Sequence, residues 1–171
     1  MKASKILAKV LFWVFRILFF AYLLVLTYAL FALISGYKTQ VSTDGADLVI
    51  QSPFGVSSLL NLENSFAYIL FAFLMPMVLY VLFFFFTADV FRMFSRERLF
   101  LDRNVRYMKL YFRLNLFLPL PTAVLAGLFT EVNMLVWNLV FIHFILGIFT
   151  FFIAELFYRG SLLQNDQDLF I

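Results

Sequence analysis

Four stretches of this chain are each apolar for about twenty residues, the length of helix needed to cross the ~30 Å hydrocarbon core of a bilayer. They run roughly from 17 to 34, 65 to 88, 108 to 129 and 134 to 157. Inside hydrocarbon every backbone amide and carbonyl must be paired within the protein, so runs of this length read as helices. Composition agrees, with 64% hydrophobic residues, 13% charged residues and 26 phenylalanines among 171 residues. No Ser/Gly/Pro-rich linker or block of charge divides the chain, so we expect one domain over residues 1–171. The fold class expected is an all-α membrane protein with four transmembrane helices. The third run is the least regular, because Lys109, Arg113 and Asn115 lie in its first turns and Pro119 and Pro121 interrupt it.

Charge gives these spans a direction. Ten of the thirteen Lys and Arg fall before the first span, between the second and third, or just after the fourth, and Lys109 and Arg113 lie in the first turns of the third; Lys38 is the exception. The positive-inside rule then places both termini and the middle connection in the cytoplasm, with residues 35–64 and 130–133 outside. A basic start before an apolar run also describes a secretory signal, but this run is longer than a signal's apolar region, so it is read as an anchor. Lys2, Lys5, Lys9 and Arg16 recur at helical spacing, a basic stripe that would lie on the inner interface, with Arg16 snorkelling to the headgroups. The lipid bilayer, and anionic lipids at the cytoplasmic face, are therefore the expected partners. The net charge of +3 and the aromatics among the basic residues suit that surface, and no direct binding of nucleic acid is expected.

In the first outer loop, TQVSTDGADLVIQ carries Asp44-Gly45 between alternating residues, the pattern of a small β hairpin. Its register would pair Thr43 with Ala46, Val41 with Leu48 and Thr39 with Ile50. The apolar face would cap the outer ends of the helices, and SPFG would turn the chain back toward the membrane.

At the other end, Ala88-Asp89-Val90-Phe91-Arg92 closes span two much as Ala154-Glu155-Leu156-Phe157-Tyr158-Arg159 closes span four. Ionisable groups at that depth need partners. Asp89 with Arg92 and Glu155 with Arg159 share helix faces, whereas Asp89 with Arg159 and Glu155 with Arg92 would clamp the two helices together. We expect the clamp. Arg92, Arg96, Arg103, Arg106 and Arg113 recur through the middle connection, and Asp102 is placed to cap the helix that enters span three. Gly160 can stop the last helix. Beyond it Leu162, Leu163 and residues 169–171 would fold back on the helices and bring Asp166 and Asp168 to the basic connection, or would wait for a partner.

The ending AELFYRG…LLQNDQDLFI and the segment RLFLDRNVRYMKLY resemble the bacterial family called domain of unknown function 2975. Its members close with AEVFRxG, a Glu/Gln-rich stretch and DLTI or ELTI. Tyr158 stands where that family often has Arg, and Phe170 where it usually has Thr. The resemblance covers the layout of four spans and implies a four-helix protein of the bacterial cytoplasmic (inner) membrane, often encoded beside a small helix-turn-helix regulator.

Chemistry is sparse. Cysteine is absent, and His143 is the only histidine, so the usual zinc ligand sets cannot be assembled. No phosphate-binding glycine loop, GxSxG elbow or HExxH occurs, and neither a cofactor nor an enzymatic activity is expected. His143, Asn115 and Asn138 read as buried hydrogen-bonding groups between helices, and His143, Gly147, Thr150 and Ala154 as a small-residue packing seam. Pro76, Pro119 and Pro121 bend or break their helices. The function expected is non-enzymatic interaction or regulation through the basic connection and the tail, with a cytosolic regulator or a second copy of the chain as partner. The alternative is a small transporter or channel subunit with a polar path through Asp89, Glu155 and His143.

Overall fold

A computed structural model describes residues 2–55, 57–96, 99–132 and 134–168, with the side chains of 165–168 left out. Four helical segments are long and apolar enough to cross a membrane: Lys2–Ser35, Tyr68–Phe94, Asp102–Gly127 and Met134–Gln164. The first is the single helix α1 (Lys2–Ser35). Its 34 residues span about 51 Å, so it overruns a bilayer core by several turns. It ends where Gly36 adopts φ 70° and donates to the Ala32 carbonyl, a left-handed close that only glycine makes without strain.

The chain then forms three strands, β1 (Thr39–Val41), β2 (Asp47–Gln51) and β3 (Ser58–Glu63), in an antiparallel sheet of order β1-β2-β3. The hairpin register agrees with its sequence where Thr39 lies opposite Ile50 and Val41 opposite Leu48, but Thr43 and Ala46 do not pair, because both fall in the turn that Ser42 and Asp47 close. The third strand corrects the expected two-stranded hairpin. Leu60 and Leu62 alternate with Asn61 and Glu63, so β3 offers β2 a second partner with one apolar face. Ile50 and Leu62 are buried on Ala29 and Ala32 of α1, with Tyr68, Ile69 and Phe73 around them. The sheet therefore sits on the ends of the first two spans.

Span two begins as a π-helix, Tyr68–Leu74, and continues as α2 (Met75–Phe94). Pro76 lies in the first turn of α2 and has no amide to give to the preceding turn, and the wider π turn lies directly before it. Span three is broken in two, as its prolines predict: α3 (Asp102–Phe117) and α4 (Pro119–Gly127) meet at Leu118. Span four is α5 (Met134–Asp168), 35 residues without a break.

Helix α1 packs chiefly on α2, and α3 chiefly on α5. Phe15 stacks on Phe91 and Phe100 meets Phe157 edge to face, so the start of α1, the α2–α3 connection and the last turns of α5 share one end of the molecule. We call it the basic end, and the opposite one the sheet end. Between α3 and α5 the buried positions recur at four and three residues. They are Asn104, Met108, Tyr111 and Asn115 on one helix, and His143, Gly147, Thr150, Ala154, Phe157 and Ser161 on the other. This is the spacing of two helices held in a long, shallow crossing.

Candidate functional site

The α3–α5 seam contains the polar groups that the sequence marks. His143 is 6% exposed and Asn115 is 1% exposed. Their Nδ1 and Oδ1 atoms lie 2.8 Å apart. The Asn115 amide nitrogen donates to the Tyr111 carbonyl at 2.9 Å, and a carbonyl only accepts. The Asn115 oxygen therefore faces the imidazole, and the ring donates to it from Nδ1. One turn toward the basic end, the Tyr111 hydroxyl meets Thr87 Oγ1 at 2.9 Å. Both residues are buried, and each hydroxyl is partnered.

His143 also closes the floor of a cavity of about 240 Å³ that opens between the π-helix, α2, α4 and α5. Tyr68, Pro76, Tyr80, Pro119, Thr122 and Glu131 are among its walls. The cavity lies where spans two and three are both irregular. Non-helical backbone at membrane depth is tolerated where it is buried in protein or lines a cavity. The expectation that Pro76 and Pro119 disturb their helices is met, and the two disturbances face the same space. Tyr80, Tyr68 and Glu131 escaped the sequence reading, because only the approach of α2 and α4 to α5 brings them to His143.

Toward the basic end this cavity stops. The Phe83 ring lies edge to face on His143 at 4.9 Å and stacks on Tyr111 at 6.2 Å, with Phe84 beside it at 5.4 Å. Asp89 lies beyond this aromatic layer, in a second cavity of about 200 Å³ at the basic end. Arg92 and Arg96 reach it from the end of α2, and Arg103, Asn104 and Tyr107 from the first turns of α3. Three residues expected at a functional site, Asp89, Arg92 and Arg103, are thus brought together. Arg106 is exposed on α3 and does not line the cavity.

Several expectations are corrected here. The cross-pairs Asp89–Arg159 and Glu155–Arg92 do not occur; Arg159 Nε bonds Glu155 Oε1 at 3.2 Å on its own helix. The two side chains are 73% and 44% exposed, so this pair is worth little. The cation that reaches this end of α5 from another helix is Lys109 of α3, whose ammonium lies 4.9 Å from the centre of the Tyr158 ring. Asn138 is exposed and not a buried group between helices, since residue 138 falls on the outward face of α5.

Asp102 does not cap α3. Leu101 holds that position without a side-chain bond, and Asn104 secures the entry by donating to the Leu99 carbonyl at 2.8 Å. Gly160 does not stop α5, which continues to Asp168. A Cβ at Gly160 would overlap the Phe100 ring, so glycine serves a close approach. Leu162 and Leu163 do not fold back; they are 46% and 67% exposed. Asp166 and Asp168 lie on the last turn of α5, but the expected meeting of their side chains with the basic connection lies outside the described residues, as do residues 169–171.

Arg16 does more than snorkel. Its guanidinium carbon lies 5.2 to 5.8 Å from the ring centres of Phe12, Phe19 and Phe85. Lys38, the exception to the charge rule, donates to the carbonyls of Ser52, Pro53 and Gly55 at 3.0 to 3.2 Å, so its charge holds the turn between β2 and β3.

Among family models, curated proteins and solved structures, nothing matches the chain. Among the described residues no group of three His, Cys, Asp or Glu side chains is placed to hold a metal ion.

Proposed function

We propose that this chain is a non-enzymatic multi-pass membrane protein that acts as an interaction or regulatory partner through its basic end. The observation that carries this reading is the aromatic layer of Phe83, Phe84 and Tyr111, which separates the cavity at His143 from the carboxylate Asp89. A through-path would join them. What remains for the basic end is recognition, and two helices overrun the membrane there. Helix α1 carries Lys2, Lys5 and Lys9, and α5 presents Leu162 and Leu163 to the surroundings.

By the charge rule this end faces the cytoplasm, with both termini, and the partner is a cytosolic regulator or a second copy of the chain. The resemblance of the ending AELFYRG and of RLFLDRNVRYMKLY to domain of unknown function 2975 is the ground for proposing a bacterial inner membrane. Capture from native membranes tests the reading: removal of residues 160–171 should abolish recovery of a cytosolic partner. Equal recovery with and without those residues would overturn it.

The cavity favours a second reading. A pocket of about 240 Å³ between two irregular spans, floored by a histidine, is the form of a solute site in a carrier. In proteoliposomes His143→Phe would then abolish uptake of a bound solute, while deletion of the tail would leave it unchanged.

A further inference from the structure

The cavity at the basic end has the chemistry of an anion site, and we propose that it binds a phosphate ester, supplied either by an anionic phospholipid headgroup or by a free phosphate compound. This deepens the proposed reading of the basic end by naming a ligand for it. Arg92, Arg96 and Arg103 converge on about 200 Å³, several times the ~30 Å³ share of one water molecule. Among the described residues Asp89 is the one carboxylate in the lining, so three positive charges against one negative leave two positive charges over there. None of the three guanidiniums makes an ion pair with a described carboxylate, Asp89 included.

Guanidinium groups present a rigid fork of donors that matches the oxygens of a phosphate. The first turn of α3 adds to the same field: its N-terminus has no side-chain cap, and Arg103 and Asn104 bring that turn to the cavity.

The lining also discriminates beyond the phosphorus. One N–H of the Asn104 amide is given to the Leu99 carbonyl, and the amide oxygen is an acceptor. Asp89 is a second acceptor, and the Tyr107 hydroxyl can donate or accept. A headgroup that carries hydroxyls next to its phosphate, as glycerol does, meets both halves of the lining. Choline offers no hydroxyl and cancels the negative charge. The cavity lies between two spans at the end where basic pockets take up phospholipid headgroups.

The test uses the full chain purified in dodecyl maltoside. Its thermal unfolding is followed with added phosphatidylglycerol, phosphatidylcholine, glycerol phosphate or inorganic phosphate, and retained lipid is weighed by native mass spectrometry. Phosphatidylglycerol should raise the melting temperature and be retained about tenfold over phosphatidylcholine, a difference of ~1.4 kcal/mol. Arg92→Gln with Arg103→Gln should remove both effects. Arg113→Gln, on an exposed arginine outside the cavity, should not. Should the double variant fold poorly, Arg96→Gln lies past the last turn of α2 and should lower retention with the helices intact.

Stabilisation by glycerol phosphate or inorganic phosphate as strong as that by the lipid would identify a free phosphate as the ligand. Stabilisation by the lipid alone would identify the headgroup. Equal losses in the Arg113 variant, or no stabilisation by any phosphate, would overturn the site. Partner capture and lipid retention are separate measurements, so loss of one with the other intact tells failure of the site from failure of the proposed reading.

Discussion

Gly147 and Gly160 show why the distance at a contact does not by itself set its cost. A Cβ at Gly147 would lie 3.0 to 3.1 Å from the backbone N and Cα of Leu116, atoms fixed within α3. At Gly160 the overlap is deeper, but it falls on the ring of Phe100, which is partly exposed and can swing. Gly147→Ala should therefore destabilise by about 1–3 kcal/mol, the cost of overpacking a tight site. Gly160→Ala should cost less, and Gly127→Ala, with its nearest neighbour at 3.5 Å, should be close to neutral. Denaturant unfolding in detergent ranks the three.

The pair His143 and Asn115 invites a double-mutant cycle. Asn115→Leu strands the imidazole N–H, and Asn115→Leu with His143→Phe removes both partners. A coupling of roughly 0.6–1.7 kcal/mol is expected, the range met for hydrogen bonds between membrane helices. The seam His143, Gly147, Thr150 and Ala154 was legible from its spacing alone. The exposure of Asn138 was not, because a polar residue in a span looks the same in sequence whether it faces a neighbouring helix or the surroundings.

The elements differ in how far the chain announced them. Four spans, the two proline breaks and the hairpin register follow from apolar runs, missing amides and an Asp-Gly turn, all local signals. β3 was missed because Leu60 and Leu62 are part of a run that also holds Leu59, which blurs the alternation, and because its partner β2 is known only after folding. Lys38 ties this sheet region together. Lys38→Met would leave the carbonyls of Ser52, Pro53 and Gly55 without their charged donor, and hydrogen exchange across residues 51–58 should quicken by about tenfold, ~1.4 kcal/mol of local opening.

The turn has its own pH response. The Ser42 hydroxyl first, and then the Ala46 amide, donate to the Asp44 carboxylate and hold its pKa below the ordinary carboxylate value. A carboxyl lowered on folding contributes stability above its unfolded pKa and loses it as pH falls through the folded one. Exchange at Gly45 and Ala46 should thus be flat at neutral pH, once corrected for intrinsic rates, and rise only under strongly acidic conditions.

For the whole molecule, the helix pairs α1 with α2 and α3 with α5 bring charge to one end and a sheet to the other. The direction of that axis can be measured directly, because the chain has no cysteine. Thr43→Cys, in the hairpin turn, should react with an impermeant maleimide from outside intact cells. Arg106→Cys should react only after the cells are opened. The basic cavity was half legible: Arg92 and Arg103 were visible as members of a recurring series, but Asn104 and Tyr107 reach it only through the docking of α3 on α2.

The two glycines of α5 have one more implication. They are thirteen residues apart, about 20 Å along the helix, and each sits under a bulky part of a neighbour, Leu116 or Phe100. Sliding α5 by a single turn would carry both away from the bulk they admit and push side chains into it. Leu116, whose backbone cannot give way, sets the depth at which α5 fits, and the Phe100 ring settles against it.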